Sequence, residues 1–152
     1  MNMKRLVILV WFVGSLFGVR ANNVRIVEDL KVGTIEGSSA QLTFKIAWDN
    51  SWRDDYNWDA VYVFLKIKRT TDVNWKHGYF MDAGHSMSAG YTCWPAQYTT
   101  TANYRQGMFI YRNSKGIGDA EVTASLLWNI NVAGFSAAEI QAGKIEMSLQ
   151  CI

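Results

Sequence analysis

Asp49, Asp54, Asp55 and Asp59 crowd into one short stretch with Asn50 and Asn57, between two apolar runs. Carboxylate and amide oxygens are the ligands a calcium ion takes. Asp55, Asn57 and Asp59 stand at the spacing that opens an EF-hand loop, which makes them a weak calcium candidate. Ala60 stands where that loop turns on glycine, and Lys66 where it needs a bidentate glutamate, so the match breaks. In ordinary loops such side chains cap turns. The expectation is therefore turn capping and pairing with Arg53, with no metal site.

Aromatic residues supply the second constellation. Trp52, Tyr56 and Trp58 lie in the acidic loop, and Tyr91, Trp94, Tyr98 and Tyr104 lie in or beside another polar stretch. Flat rings held out on a rigid scaffold bind sugars or partner proteins. Rings can instead plug the ends of a fold, their polar tips reaching a hydrogen-bond partner. Trp48, Trp58, Trp75 and Trp128 sit on or beside apolar faces and are expected to plug. Trp52, Tyr56, Trp94 and Tyr98 are the candidate binding residues.

Acid–base chemistry has little to work with. His77 and His85 are the only histidines. Ser86, His85 and Asp82 form a nucleophile–base–acid trio only on paper. Neighbours in sequence rarely converge on one reacting atom, and no elbow motif surrounds the serine. Gly116-Ile117-Gly118 opens a strand, not the helix that a phosphate-cradling loop requires. Neither a catalytic set nor a cofactor is expected.

The elements that must position these side chains read as strands. Leu42, Phe44, Ile46 and Trp48 alternate with Gln41, Thr43, Lys45 and Ala47, a period of two that puts one face in a core. Val61, Val63, Leu65 and Ile67 repeat the pattern, with Tyr62, Phe64, Lys66 and Lys68 opposite. Ala120, Val122, Ala124, Leu126 and Trp128 give a third clear run. Weaker strands are expected over residues 22–32, 75–81, 91–94, 107–112 and 144–150, with turns over 33–39 and 113–119. Ser136 to Glu139 has capping-box spacing, enough for one helical turn. The sum is an all-β, antiparallel β-sandwich of about seven strands, immunoglobulin-like or jelly-roll-like, with a barrel as the fallback. It fills one domain over residues 22–152, with no substantial helix.

The amino terminus sets the compartment. Lys4 and Arg5 precede an uncharged run from Leu6 to Val19, and Val19-Arg20-Ala21 offers a cleavage site. That is the layout of a signal peptide over residues 1–21, too short to span a bilayer. Residues 1–21 carry Lys4, Arg5 and Arg20 and no acid, so the net charge of +2 belongs to the targeting segment. The remaining basic residues are scattered, which argues against a nucleic-acid partner. No membrane span is expected after cleavage. Export places Cys93 and Cys151 in an oxidising compartment, where they either close a disulfide or stay unpaired.

Asn50-Ser51-Trp52-Arg53 and Asn57-Trp58-Asp59-Ala60-Val61-Tyr62-Val63-Phe64-Leu65-Lys66 also carry a likeness. With Asn23-Val24-Arg25-Ile26, Trp75-Lys76-His77, Gly107-Met108-Phe109-Ile110-Tyr111-Arg112, Leu127-Trp128-Asn129 and Ile145-Glu146-Met147, they follow a family pattern in order. The chain resembles the amino-terminal β-sandwich domain of exported bacterial formylglycine-generating-enzyme-like (sulfatase-modifying factor) proteins. Residues 1–152 include no stretch that resembles the enzyme-like domain, and Cys93 and Cys151 match none of its motifs. The resemblance implies an accessory module without the enzyme, in the periplasm, at the outer membrane or secreted. Its partner would be an envelope protein or, alternatively, a glycan held by the loop aromatics.

Overall fold

The structure is a computed structural model, and it describes residues 22–96 and 104–152. The signal-peptide expectation and Tyr98 lie outside the described residues.

Strong alternation becomes long strands. β1 (Arg25–Glu36) and β2 (Ser39–Arg53) pair antiparallel, and β2 pairs in turn with β10 (Gly116–Asn129). β5 (Tyr79–Met81), β6 (Ser86–Met87) and β8 (Tyr104–Arg105) complete this six-stranded sheet, in the order β1-β2-β10-β5-β8 with β6 also on β10. The second sheet runs β11 (Ile145–Cys151), β3 (Val61–Arg69), β9 (Gly107–Arg112) and β7 (Tyr91–Pro95), with β4 (Lys76–His77) added to β3. All strand pairs are antiparallel. The inward residues of the period-two runs meet between the sheets. Leu42, Ile46, Trp48, Val63, Leu65, Ile67, Met108, Ile110, Val122, Leu126 and Trp128 are all fully buried in one cluster. The all-β sandwich expected from the alternation is the fold observed. Among the described residues, no helix is long and apolar enough to cross a membrane.

Differences from the expected elements have local causes. The strand expected over residues 75–81 divides at Gly78, and its halves enter different sheets. A Cβ at Gly78 would lie 2.6 Å from Leu65 Cδ2, so glycine allows the chain to cross against the core there. The stretch read as a turn over 33–39 is strand as far as Glu36, and the reversal falls at Gly37, whose φ is +56°. Strands of two or three residues (β4, β5, β6 and β8) are too short to show a period, which is why about seven strands were legible and more exist. The helical turn expected at Ser136 is α1 (Ala137–Gln141), with both capping-box hydrogen bonds formed.

Cys93 and Cys151 are free thiols. They lie on β7 and β11, the outermost strands of the path β11-β3-β9-β7. Three inter-strand spacings amount to about 14 Å, whereas a disulfide needs Cα atoms within about 7 Å. The fold therefore corrects the bridge that export made conceivable.

Candidate functional site

The loop joining β2 to β3 is held by one carboxylate. Asp59 Oδ2 accepts from Trp48 Nε1 at 2.8 Å, and Oδ1 accepts from the Trp52 amide at 2.9 Å and from Ser51 Oγ at 3.4 Å. A bulge precedes this. Asn50 has φ of +57°, and the β2–β10 register shifts between Gly118 and Ala120. An extra residue in one strand turns the following side chains to the other face. Trp48 and Ser51 accordingly both point inward, fully buried. Ser51 Oγ also accepts from Arg112 Nε at 3.0 Å. The loop is clasped to the end of the sandwich, and Arg53 and Trp58 form a bridge across it.

None of the loop carboxylates is left to gather calcium. Asp54 Oδ1 accepts from the Tyr56 and Asn57 amides, each at 2.7 Å, and these backbone donors, Asn57 first, lower its pKa. Asp55 pairs with Lys115 at 2.6 Å, and Asp59 faces inward. Asp55 and Asp59 are thus engaged with different partners, Lys115 and the Trp48 indole. Among the described residues, no group of three His, Cys, Asp or Glu side chains could hold a metal. Arg53 is not the acids' partner. Its guanidinium carbon lies 4.8 Å from the Trp58 ring centroid and 5.6 Å from that of Tyr111, and its Nη1 donates to the Arg112 carbonyl.

That cation fixes one end of an aromatic surface. Trp58 stacks on Tyr111 with centroids 5.7 Å apart and planes 26° apart. On the outer face of the five-stranded sheet, register places Trp94 (β7), Phe109 (β9) and Tyr62 (β3) in one row. Tyr62 contacts Phe109 at 5.1 Å and Phe64 at 5.7 Å between centroids, and Phe64 lies 6.1 Å from His77. A Cβ on Gly107 would overlap the Tyr62 ring and hydroxyl, so glycine there lets the phenol lie flat. Partial burial raises the Tyr62 pKa, keeping it a neutral hydrogen-bonding tip.

Trp58, Ala60, Trp94, Phe109 and Tyr111 wall a recess of about 460 Å³. Its rings remain open to solvent: Trp94 is 58% exposed, Trp58 45% and Phe109 39%. Large apolar residues grouped in this way make this face the candidate for an interaction site. The six-stranded sheet carries Lys45, which bridges Glu28 at 3.0 Å and Glu121 at 3.2 Å, and toward one end the exposed Trp52–Ile117 pair.

The structure redistributes the candidate residues. Of Trp52, Tyr56, Trp94 and Tyr98, Trp94 joins the aromatic face. Trp52 pairs with Ile117 on the other sheet, and Tyr56 stands alone at the loop tip, 85% exposed. Trp48 and Trp128 plug the core as expected, whereas Trp58 and Trp75 are open on the surface. Phe109 and Tyr111 were hidden by the continuous run Met108-Phe109-Ile110-Tyr111, whose alternate members face the core and the solvent.

His85, Asp82 and Ser86 each have partners elsewhere in the fold. His85 Nδ1 accepts from the Leu127 amide at 3.1 Å, and Nε2 lies 3.0 Å from the Met81 carbonyl, to which it donates. Burial lowers its pKa, so the neutral ring serves as a backbone clamp. Asp82 pairs with Arg105 at 2.8 Å, and Ser86 lies in the β6–β10 ladder.

Fold and site together define an antiparallel β-sandwich that presents an aromatic sheet face. Comparison with protein-family models, curated proteins and solved structures finds no match.

Proposed function

We propose that this chain is a non-catalytic accessory module, exported to the bacterial cell envelope, that docks another protein on the aromatic outer face of its five-stranded sheet. The recess between Trp58, Ala60, Trp94, Phe109 and Tyr111 carries the reading. Its wall is four aromatic residues and an alanine, with no charged, amide or Ser/Thr side chain. An apolar or aromatic side chain of a partner fills such a space, and anchors of that kind dominate interface energies. A sugar needs directional partners for its hydroxyls, and this recess offers only indole N–H and phenol tips. Export rests on the targeting pattern in residues 1–21. The accessory role accords with the resemblance to the domain that precedes formylglycine-generating-enzyme-like modules.

The test is affinity for a partner purified from the envelope, measured for the parent, Trp94→Ala, Trp58→Ala and, on the opposite sheet, Lys45→Ala. Recess variants that keep the parent's melting temperature are expected to bind about tenfold or more weakly, as hot-spot truncations do, with Lys45→Ala unchanged. Equal binding by all four would contradict the proposal. So would a retained glycan whose binding depends on Trp94.

A further inference from the structure

The same face carries a polar station beyond its aromatic floor. Register places Ser148 (β11), Lys66 (β3) and His77 (β4) in one row across the sheet. Lys66 Nζ donates to His77 Nε2 at 2.9 Å, so the ammonium is steered by a neutral ring and not by an acid. Burial, with the Lys66 charge second, lowers the His77 pKa and keeps that ring neutral. The next cation along the strand differs: Lys68 pairs with Glu146 at 3.2 Å. Among the described residues, Lys66 forms no ion pair. Lys66, Trp75, Ser148 and Gln150 line a second hollow of about 280 Å³. Gln150 Nε2 already donates to Ser148 Oγ at 2.8 Å, leaving the serine hydroxyl proton and the ammonium to reach a ligand.

We infer that this station is a carboxylate subsite. On this reading, the partner presents an extended segment with an apolar or aromatic side chain in the Trp58–Trp94 recess and an acidic side chain at Lys66. The inference deepens the protein-docking reading and rests on it. Charge complementarity selects the acid, because a half-buried ammonium without an acidic partner gains most from one. Spacing follows from the chain: Lys66 lies six residues beyond Ala60, which walls the recess, about 20 Å at the rise of a β-strand. An extended partner lying along β3 points residues i and i+6 to the same side. The two anchors therefore belong six positions apart, with Tyr62 and Phe64 as the floor between them.

The probes are synthetic peptides with a central Trp-Ser-Thr-Ser-Thr-Ser-Glu, the same peptide ending in Gln, one with the acid moved a single position along, and cellohexaose as a neutral sugar. Affinities are read by titration calorimetry against the parent, Lys66→Gln and Trp94→Ala at low and high salt. The Glu peptide is expected to bind the parent about fivefold more tightly than the Gln peptide, as a partly exposed ion pair allows. That advantage is expected to vanish in Lys66→Gln, with the shifted acid, and at high salt. Equal binding of the Glu and Gln peptides, still lost in Trp94→Ala, would overturn the subsite and leave the docking reading standing. Failure of both peptides to bind would overturn the extended-segment inference. Tighter binding of cellohexaose would overturn both readings.

Discussion

Replacing Asp59 by alanine tests how the aromatic face is positioned. The carboxylate receives the indole N–H of Trp48, the amide of Trp52 and the hydroxyl of Ser51. Trp48 and Ser51 are fully buried, so water cannot replace the lost acceptor without opening the core. A buried donor left unpaired costs about 1–3 kcal/mol. The half-exposed Trp52 amide adds roughly 1 kcal/mol, and Ser51 retains Arg112, so Asp59→Ala should cost about 2–4 kcal/mol in all. For a domain of this size that lowers the melting temperature by roughly 10 °C. Asp59→Asn keeps one acceptor oxygen but turns an amide NH2 toward the other donors, and should lose about half as much. Thermal unfolding followed by tryptophan fluorescence measures both. Trp48→Phe supplies the second edge of a double-mutant cycle, in which the two substitutions should be strongly sub-additive. A melting temperature within about 2 °C of the parent, or strict additivity, would refute the clasp.

Other outcomes follow from neighbouring features. Gly107→Ala forces Tyr62 off the sheet, and overpacking of this kind should cost about 1–3 kcal/mol in chemical denaturation; no loss would show that the phenol has other room. Glu139 is held well below the usual carboxylate range, at a pKa of about 2, first by Arg69 and then by Ser136. Its folded pKa is depressed, so its stabilisation is complete above about pH 4.5 and is lost as pH falls toward 2. The melting-temperature gap between the parent and Glu139→Gln should close over that range, and a gap that stays constant would contradict the assignment. Cys93 and Cys151 should both titrate as thiols after unfolding without reductant, and slowly beforehand because burial raises both pKa values. Finding no thiol in the unfolded chain would contradict the register that separates β7 from β11.

The core was legible because inward residues of β2, β3 and β10 alternate with polar ones, and a period of two needs no knowledge of partners. The aromatic face was only partly so. Tyr62 and Phe64 could be assigned opposite to the core residues of β3, but Phe109 and Tyr111 sit in a wholly apolar run without a visible phase. What joins Trp94 to Phe109 and Tyr62 is register between β7, β9 and β3, a long-range property that local pattern does not encode. Trp58 shows the same limit. Its place beside an apolar strand suggested plugging, whereas the Asp59 clasp and the Arg53 guanidinium hold it on the surface.

The central claim is that the five-stranded sheet's aromatic face, and not the opposite face, meets a protein partner. Its most direct measurement places a benzophenone amino acid at Thr92, in the row with Tyr111, and separately at Thr123 on the outer face of the six-stranded sheet. The account predicts one discrete protein adduct from position 92, absent in a Trp94→Ala background, and none from position 123. An adduct from position 123 alone, or one at position 92 that persists without Trp94, would contradict it.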